Sequence, residues 1–255
     1  MINSFFGLKG KTVLITGSAQ GLGFIMARGL GRAGATVVLN DIDQDKLDKA
    51  VATLKNEGIE TYGCLFNVTK KVQISEGVKT IEETVGPIDI LFNNAGIQRR
   101  APLEDFSESD WREIIDINLT GTFLTTQQVV KGMIARKAGK IINICSLQSE
   151  LGRKTIAPYA AAKGGAKMLT RAMAVEWGMH NIQVNGIGPG YFLTDMTQKL
   201  ADDPKFDSWL RARTPADRWG NPEELVGTAI FLSSSASNFI NGQIIYVDGG
   251  ILAAI

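Results

Sequence analysis

Short runs of β-branched and aliphatic residues alternate along the chain with longer amphipathic stretches. The apolar runs fall at residues 12–16, 36–40, 61–66, 88–92, 140–144, 182–187 and 243–247. At least 16 residues separate each of the first six from the next, which is room for a helical crossover every time. A continuous apolar run suits a strand buried on both faces, and helices between such strands produce a parallel sheet. The pattern predicts an α/β fold of the doubly wound, Rossmann type: a seven-stranded parallel sheet with helices on both faces, in a single domain over residues 1–255. Residues 191–221 break the rhythm. They hold Asp202-Asp203-Pro204, Trp209, Trp219 and no clear strand, and are expected to form a helical insertion, a substrate lid over the sheet's C-terminal edge.

Composition narrows the functional classes. The chain has 255 residues, 44% of them hydrophobic, and a formal net charge of +1 with acids and bases interleaved. No basic stripe exists for nucleic acid. Cys64 and Cys145 lie far apart in apolar runs and read as reduced core residues, so a cytoplasmic protein is expected. No run approaches the roughly 20 apolar residues of a membrane span. With His180 the single histidine, at a helix end, no metal site is expected.

The first run leads into Thr16-Gly17-Ser18-Ala19-Gln20-Gly21-Leu22-Gly23, a G-x-x-x-G-x-G loop that opens a helix. Glycines there allow a tight turn and let the backbone approach a pyrophosphate at the helix N-terminus. Such a loop alone is weak evidence, because glycine-rich strand–helix turns are common. Asp41 ends the second run about 20 residues on, where a carboxylate can accept from adenosine ribose hydroxyls and repel a 2′-phosphate. NAD is therefore favoured and NADP left open; the competing role for Asp41 is to cap the next helix.

Further along, the chain resembles the short-chain dehydrogenase/reductase family over essentially its whole length. The resemblance rests on Gly17, Gly21 and Gly23, on Asn93-Asn94-Ala95-Gly96, on Asn118 in Ile117-Asn118-Leu119-Thr120-Gly121, on Ser146 placed 13 residues before Tyr159, on Tyr159-Ala160-Ala161-Ala162-Lys163, and on Pro189-Gly190 with Thr194. It implies a nicotinamide dinucleotide oxidoreductase. The implied catalytic residues are Asn118, Ser146, Tyr159 and Lys163, with Asn118 supporting a water beside Lys163. The implied cofactor contacts are Gly17, Ser18, Gln20, Gly21, Leu22, Gly23, Asp41, Asn67, Val68, Asn94, Ala95, Gly96, Tyr159, Lys163, Pro189, Gly190 and Thr194. A homotetramer is implied as well. One departure is visible: Asn67-Val68 stands where the family commonly has Asp-Val against the adenine.

The residue chemistry agrees with that implication. Tyr159 and Lys163 are i and i+4, one face of a helix. A phenol ordinarily titrates near 10. An ammonium beside it is expected to lower that value, so that Tyr159 exchanges a proton with an alcohol or carbonyl oxygen while Ser146 holds that oxygen. No G-x-S-x-G elbow surrounds Ser146, and no Gly-Lys-Ser/Thr completes the glycine loop, so acyl and phosphoryl transfer are not indicated. Around the site fall Gln98, Arg99, Arg100, Gln148, Ser149, Glu150 and Arg153. Of these, Arg99, Gln148 and Glu150 join Ser146 and Tyr159 as candidate substrate contacts for a small polyhydroxylated anion, Arg99 gripping a carboxylate. The alternative for Arg99 and Arg100 is a solvated surface role. Residues 94–100, 144–153 and 213–220 are also similar to the bacterial gluconate 5-dehydrogenases, which implies reduction of a keto-sugar acid. The 2-deoxy-D-gluconate 3-dehydrogenases share much of the framework. A non-catalytic dinucleotide sensor would not need Ser146, Tyr159 and Lys163 together.

Overall fold

The structure is a computed structural model that describes residues 5–194 and 197–254. Seven strands form one parallel sheet: β1 (Thr12–Ile15), β2 (Thr36–Asp41), β3 (Thr61–Leu65), β4 (Ile90–Asn93), β5 (Gly139–Ile144), β6 (Ile182–Pro189) and β7 (Ile244–Val247). Their order across the sheet is β3-β2-β1-β4-β5-β6-β7. Each of the seven apolar runs supplies one strand, with ends shifted by up to two residues. The order reverses between β1 and β4, and the crevice above that switch point is where open α/β sheets bind ligands.

Alternation of side chains along the strands builds two cores. Val13 and Ile15 of β1 point to one face with Val37, Leu39, Ile90 and Phe92, while Leu14, Val38 and Leu91 point to the other. Helices α1 (Gly21–Arg32) and α2 (Gln44–Asn56) bury Met26, Leu30, Leu47 and Leu54 on the first face, joined by Leu232 of α9 (Val226–Ser233). Helices α3 (Lys71–Thr84), α5 (Gly121–Arg136) and α6 (Ala157–Trp177) bury Ile74, Ile81, Met133 and Met173 on the second. A short helix, α4 (Glu108–Ile115), precedes α5 and is joined to it by a π-helical turn over Asp116–Thr120.

Asparagine and threonine side chains cross the second core. The Asn93 amide donates to Thr126 Oγ1 and Asn143 Oδ1, both at 2.8 Å, and Asn143 donates to Thr170 Oγ1 at 2.9 Å. These bonds tie β4, β5, α5 and α6 together beneath the sheet's C-terminal edge.

Residues 191–221 carry the short α7 (Gln198–Ala201) and α8 (Pro204–Arg213), and a parallel bridge pairs Phe192 with Gly220 at the segment's base. Leu210 and Trp219 from this segment pack with Leu147 and Ile251, with Tyr191 and Phe206 beside them. A cavity of about 110 Å³ behind the segment is lined by Tyr191, Phe192, Arg218, Val247 and Ile251, and by none of Ser146, Tyr159 or Lys163.

Helix α1 meets α9 at Gly29, where a Cβ would fall 2.3 Å from Val226 Cγ1. Alanine there gains about 1 kcal/mol of helix propensity against an overpacking cost of about 1–3 kcal/mol. Gly29→Ala is therefore expected to lower the urea midpoint. Val226→Ala, destabilising in the wild type, should raise the midpoint in the Gly29→Ala background.

Candidate active site

The glycine loop is shaped by what surrounds it. Gly17 and Gly21 hold φ of +59° and +61°, the left-handed region that glycine enters freely. A Cβ at Gly17 would lie 2.8 Å from Ala95 Cα, and one at Gly23 would lie 2.5 Å from Asn94 Nδ2. Asn94 clasps the loop: its amide donates to Thr16 O at 2.9 Å and Gly17 O at 2.8 Å, while the Asn94 and Ala95 N–H groups donate to Thr16 Oγ1. Ser18 faces inward, donating to Ile15 O at 2.7 Å. Gln20 begins α1 in an extended conformation without a side-chain cap, and no acid stands in the first turn. That leaves the helix's first N–H groups open to an anion. The loop fits the pyrophosphate of a dinucleotide, since its tight glycine turn ends at those open N–H groups.

The other predicted cofactor residues ring this crevice. Asp41 closes β2, its carboxylate accepting from Ala19 N at 3.3 Å and Ile42 N at 2.8 Å. Asn67 turns Oδ1 toward Thr69, whose N–H and hydroxyl both donate to it at 2.9 Å. That oxygen is engaged within the chain, which leaves the Asn67 NH2 as its free donor group. Val68 is buried against Gly121, where a Cβ would lie 2.8 Å from it. Pro189 ends β6, Gly190 allows Asp248 Cα to come within 2.7 Å of where a Cβ would be, and Thr194 N donates to Thr197 Oγ1 at 2.9 Å.

Ser146, Tyr159, Lys163 and Asn118 converge at the ends of β4 and β5. Ser146 follows β5 and is 6% exposed; a capping box with Ser149 fixes it, and Ser149 Oγ donates to the Lys163 carbonyl at 2.8 Å. The Ser146 hydroxyl donates to Gln148 Oε1 at 2.6 Å. Tyr159 and Lys163 share a face of α6, which starts beyond Pro158. Lys163 is buried, with Nζ 5.6 Å from the Tyr159 ring centroid and donating to Ile144 O at 2.6 Å. Asn118 lies in the π-helical turn, donating to Ile97 O at 3.0 Å and Ile114 O at 2.9 Å. Its Oδ1 is buried without a protein partner, and Gly96 opposite leaves space that a Cβ would fill to within 2.5 Å of that oxygen. An orphaned acceptor in a polar niche suits an ordered water. Among the described residues, no cluster of His, Cys, Asp and Glu could hold a metal ion.

The electrostatics correct one expectation. Tyr159 is not lowered: burial pushes its phenol up, and the Ser146 hydroxyl pulls it only partly back. Lys163 spends its charge on a carbonyl, and burial holds it down from the ordinary 10.5 to about 8. Desolvation, which disfavours the charged form, is the largest cause for both groups.

On the substrate side the arginines separate. Arg99 is exposed and turns to α4, its Nε 2.9 Å from Glu113 Oε2 and 3.0 Å from Asp110 Oδ1. Glu150 accepts from Lys167 at 2.6 Å and from the Tyr246 hydroxyl at 2.7 Å, pinning its loop to α6 and β7. Both side chains of the expected substrate set thus have strong partners within the chain. Arg100 and Arg153, by contrast, have no acidic partner within 4.0 Å among the described residues. Arg100 donates to Gln98 Oε1 at 3.2 Å and Arg153 to the Tyr191 hydroxyl at 2.7 Å. Tyr191, directly after Pro189-Gly190, was not singled out from the sequence. Its place at the start of the segment that breaks the strand rhythm was the available signal.

A glycine loop at the switch point, with a serine, a tyrosine and a lysine at the next strand edge, defines a dinucleotide-dependent oxidoreductase. The family model described as short chain dehydrogenase matches residues 11–205, and the chain belongs to that family. It is 56% identical over 254 residues, covering 100% of both chains, to the 5-keto-D-gluconate 5-reductase of Escherichia coli. It is 55% identical to the 2-dehydro-3-deoxy-D-gluconate 5-dehydrogenase of Formosa agariphila, covering 98% of this chain and 96% of that one. The crystal structure of a gluconate 5-dehydrogenase from Burkholderia cenocepacia, in complex with NADP and tartrate, superposes with a TM-score of 0.97 at 49% identity and 100% coverage of both chains.

The depressed Lys163 has a measurable consequence. Between pH 8 and about 10.5 the unfolded chain binds a proton that the folded chain lacks, so this residue's contribution to stability rises with pH across that window. Lys163→Met removes the penalty. Its stability relative to wild type should be highest below pH 8 and decline toward pH 10.5, as followed by urea unfolding at a series of pH values. A flat difference would show that Lys163 is not desolvated.

Proposed function

We propose that this short-chain oxidoreductase interconverts a keto-sugar acid and its hydroxy acid, with 5-keto-D-gluconate and D-gluconate as the pair. The observation that carries this reading is the placement of two guanidiniums without acid partners, Arg100 and Arg153, on the side of the site where Ser146 and Gln148 lie. Similarity across the whole chain to a 5-keto-D-gluconate 5-reductase supports it. So does the tartrate, a small hydroxylated dianion, in the complex of the Burkholderia relative. The Formosa relative favours 2-dehydro-3-deoxy-D-gluconate as a second substrate to test, an acid of the same chain length with a ketone at C2 and no hydroxyl at C3.

The residues divide the work. Gly17, Gly21, Gly23 and the open N-terminus of α1 would hold the dinucleotide's pyrophosphate, with Asp41 at its ribose; the nicotinamide, when bound, supplies or accepts the hydride. Asp41 supports a preference for NAD, because its carboxylate opposes a 2′-phosphate. Ser146 turns its hydroxyl from Gln148 to the substrate oxygen and holds it. Tyr159, kept protonated by its burial, gives its proton to that oxygen as the carbonyl is reduced and takes it back in the reverse direction. Lys163 and the orphaned Asn118 Oδ1 provide the path by which the phenol is reprotonated from water. Residues 191–221 act as a lid. Exposed Trp111, Phe123 and Val175 on α4, α5 and α6 support assembly of the helices as a homotetramer.

Purified protein should consume NADH or NADPH when 5-keto-D-gluconate is supplied, with a higher kcat/KM for NADH. Tyr159→Phe should lower kcat by about 10²- to 10⁴-fold with an unchanged melting temperature. Reduction of hydrophobic ketones and of no keto-aldonate would overturn the substrate reading.

A further inference from the structure

Arg153 lies in the loop between Ser146 and the start of α6, seven residues after Ser146 and six before Tyr159. Its charge is compensated by rings instead of an acid. The guanidinium carbon is 4.8 Å from the Phe206 ring centroid, 5.6 Å from that of Tyr191 and 5.7 Å from that of Trp209. Phe206 and Trp209 come from α8, so the segment over the site supplies two walls of this seat. The rings pack on one another as well, Tyr191 standing edge-on to Phe206 and to Trp209 at centroid distances of 5.8 and 6.3 Å. Aromatic faces stabilise a guanidinium that has lost part of its water and fix its plane, while the N–H edge stays available.

That edge has one protein acceptor among the described residues, the Tyr191 hydroxyl. Gln148 lies beside the same phenol, and its Oε1 accepts from Ser146 at 2.6 Å. Arg153, Tyr191 and Gln148 thus follow one another toward the hydroxyl beside Tyr159. The neighbouring loop is clipped to this one: Thr155, a β-branched residue at φ +71°, points its carbonyl to Ala101 N at 3.1 Å. Left-handed backbone is unfavourable for threonine, and such strain is kept where the surroundings over-determine it. Burial, and after it the like charge of nearby Arg153, push the Arg100 guanidinium down.

We infer that Arg153 is the specificity-determining residue of the site, an aromatic-seated guanidinium that grips the substrate's carboxylate in a fork while Ser146 and Tyr159 hold the reacting oxygen. The inference rests on the proposed sugar-acid chemistry and deepens it. Arg99, tied to Glu113 and Asp110, takes no part. Tyr191 is a positioning residue: its hydroxyl sets the orientation of Arg153.

The test compares D-gluconate with D-glucitol, the same carbon chain carrying CH2OH in place of the carboxylate. In Arg153→Met, kcat/KM for D-gluconate should fall on the order of 10- to 100-fold, mainly through KM, while D-glucitol turnover stays within about threefold. Arg153→Lys keeps the charge without the fork and should fall between, and it serves if the methionine variant does not fold. Tyr191→Phe keeps the ring and should raise KM for D-gluconate several-fold without altering kcat. Thermal stabilisation of the wild type by sodium D-gluconate and not by D-glucitol, lost in Arg153→Met, gives a readout independent of turnover. Equal losses for acid and polyol, or unchanged gluconate kinetics in Arg153→Met, would overturn the assignment while leaving the sugar-acid reading intact. A wild type that neither binds nor oxidises any sugar acid would overturn that reading, and this inference with it.

Discussion

The hydrogen bond from Lys163 Nζ to the carbonyl of Ile144 fastens the second turn of the long helix α6 to the last residue of β5. Ser146 is two residues beyond that carbonyl and Tyr159 one helical turn before that amine, so a single contact sets the relation between the serine hydroxyl and the phenol. Ser149 repeats the fastening from the other side, its hydroxyl on the Lys163 carbonyl. The strand end, the capped turn after it and the first two turns of α6 thereby behave as one rigid piece. Rigidity of that order is what positioning chemistry requires, since small misplacements of reacting groups are costly.

The same contact explains why the titration differs from simple expectation. An amine that reaches a backbone carbonyl in the interior is desolvated, and so is the phenol next to it. Each would be stabilised by charge on the other, but both pay for leaving water first. The outcome favours a neutral phenol over a phenolate.

The fold was legible in the sequence because buried parallel strands must be apolar on both faces, and the seven runs said so directly. The glycine loop and the Tyr159–Lys163 spacing were legible because backbone approach and helix periodicity are local properties. What stayed hidden depends on tertiary contact. The π-helical turn at Asp116–Thr120 inserts a residue between α4 and α5 and turns Asn118 inward, and nothing in the Ile117-Asn118-Leu119 tripeptide marks it. Arg99, Arg100 and Arg153 are equal as letters. Glu113 and Asp110 on α4 capture the first, while the rings of α8 seat the third. Asn67 likewise depended on whether Thr69 would occupy its oxygen.

The amide ladder from Asn93 to Asn143 and Thr170 bears on how the chain finds its pairing. Apolar strands rich in isoleucine and valine are nearly interchangeable under a slide, since one buried methyl replaces another. Directional amides are not: displaced by one step, Asn93 and Asn143 would be turned into the opposite apolar layer with their donors unmet. Polar side chains buried at the centre thus act as a key for strand alignment, discriminating against slipped arrangements that greasy contacts alone would tolerate.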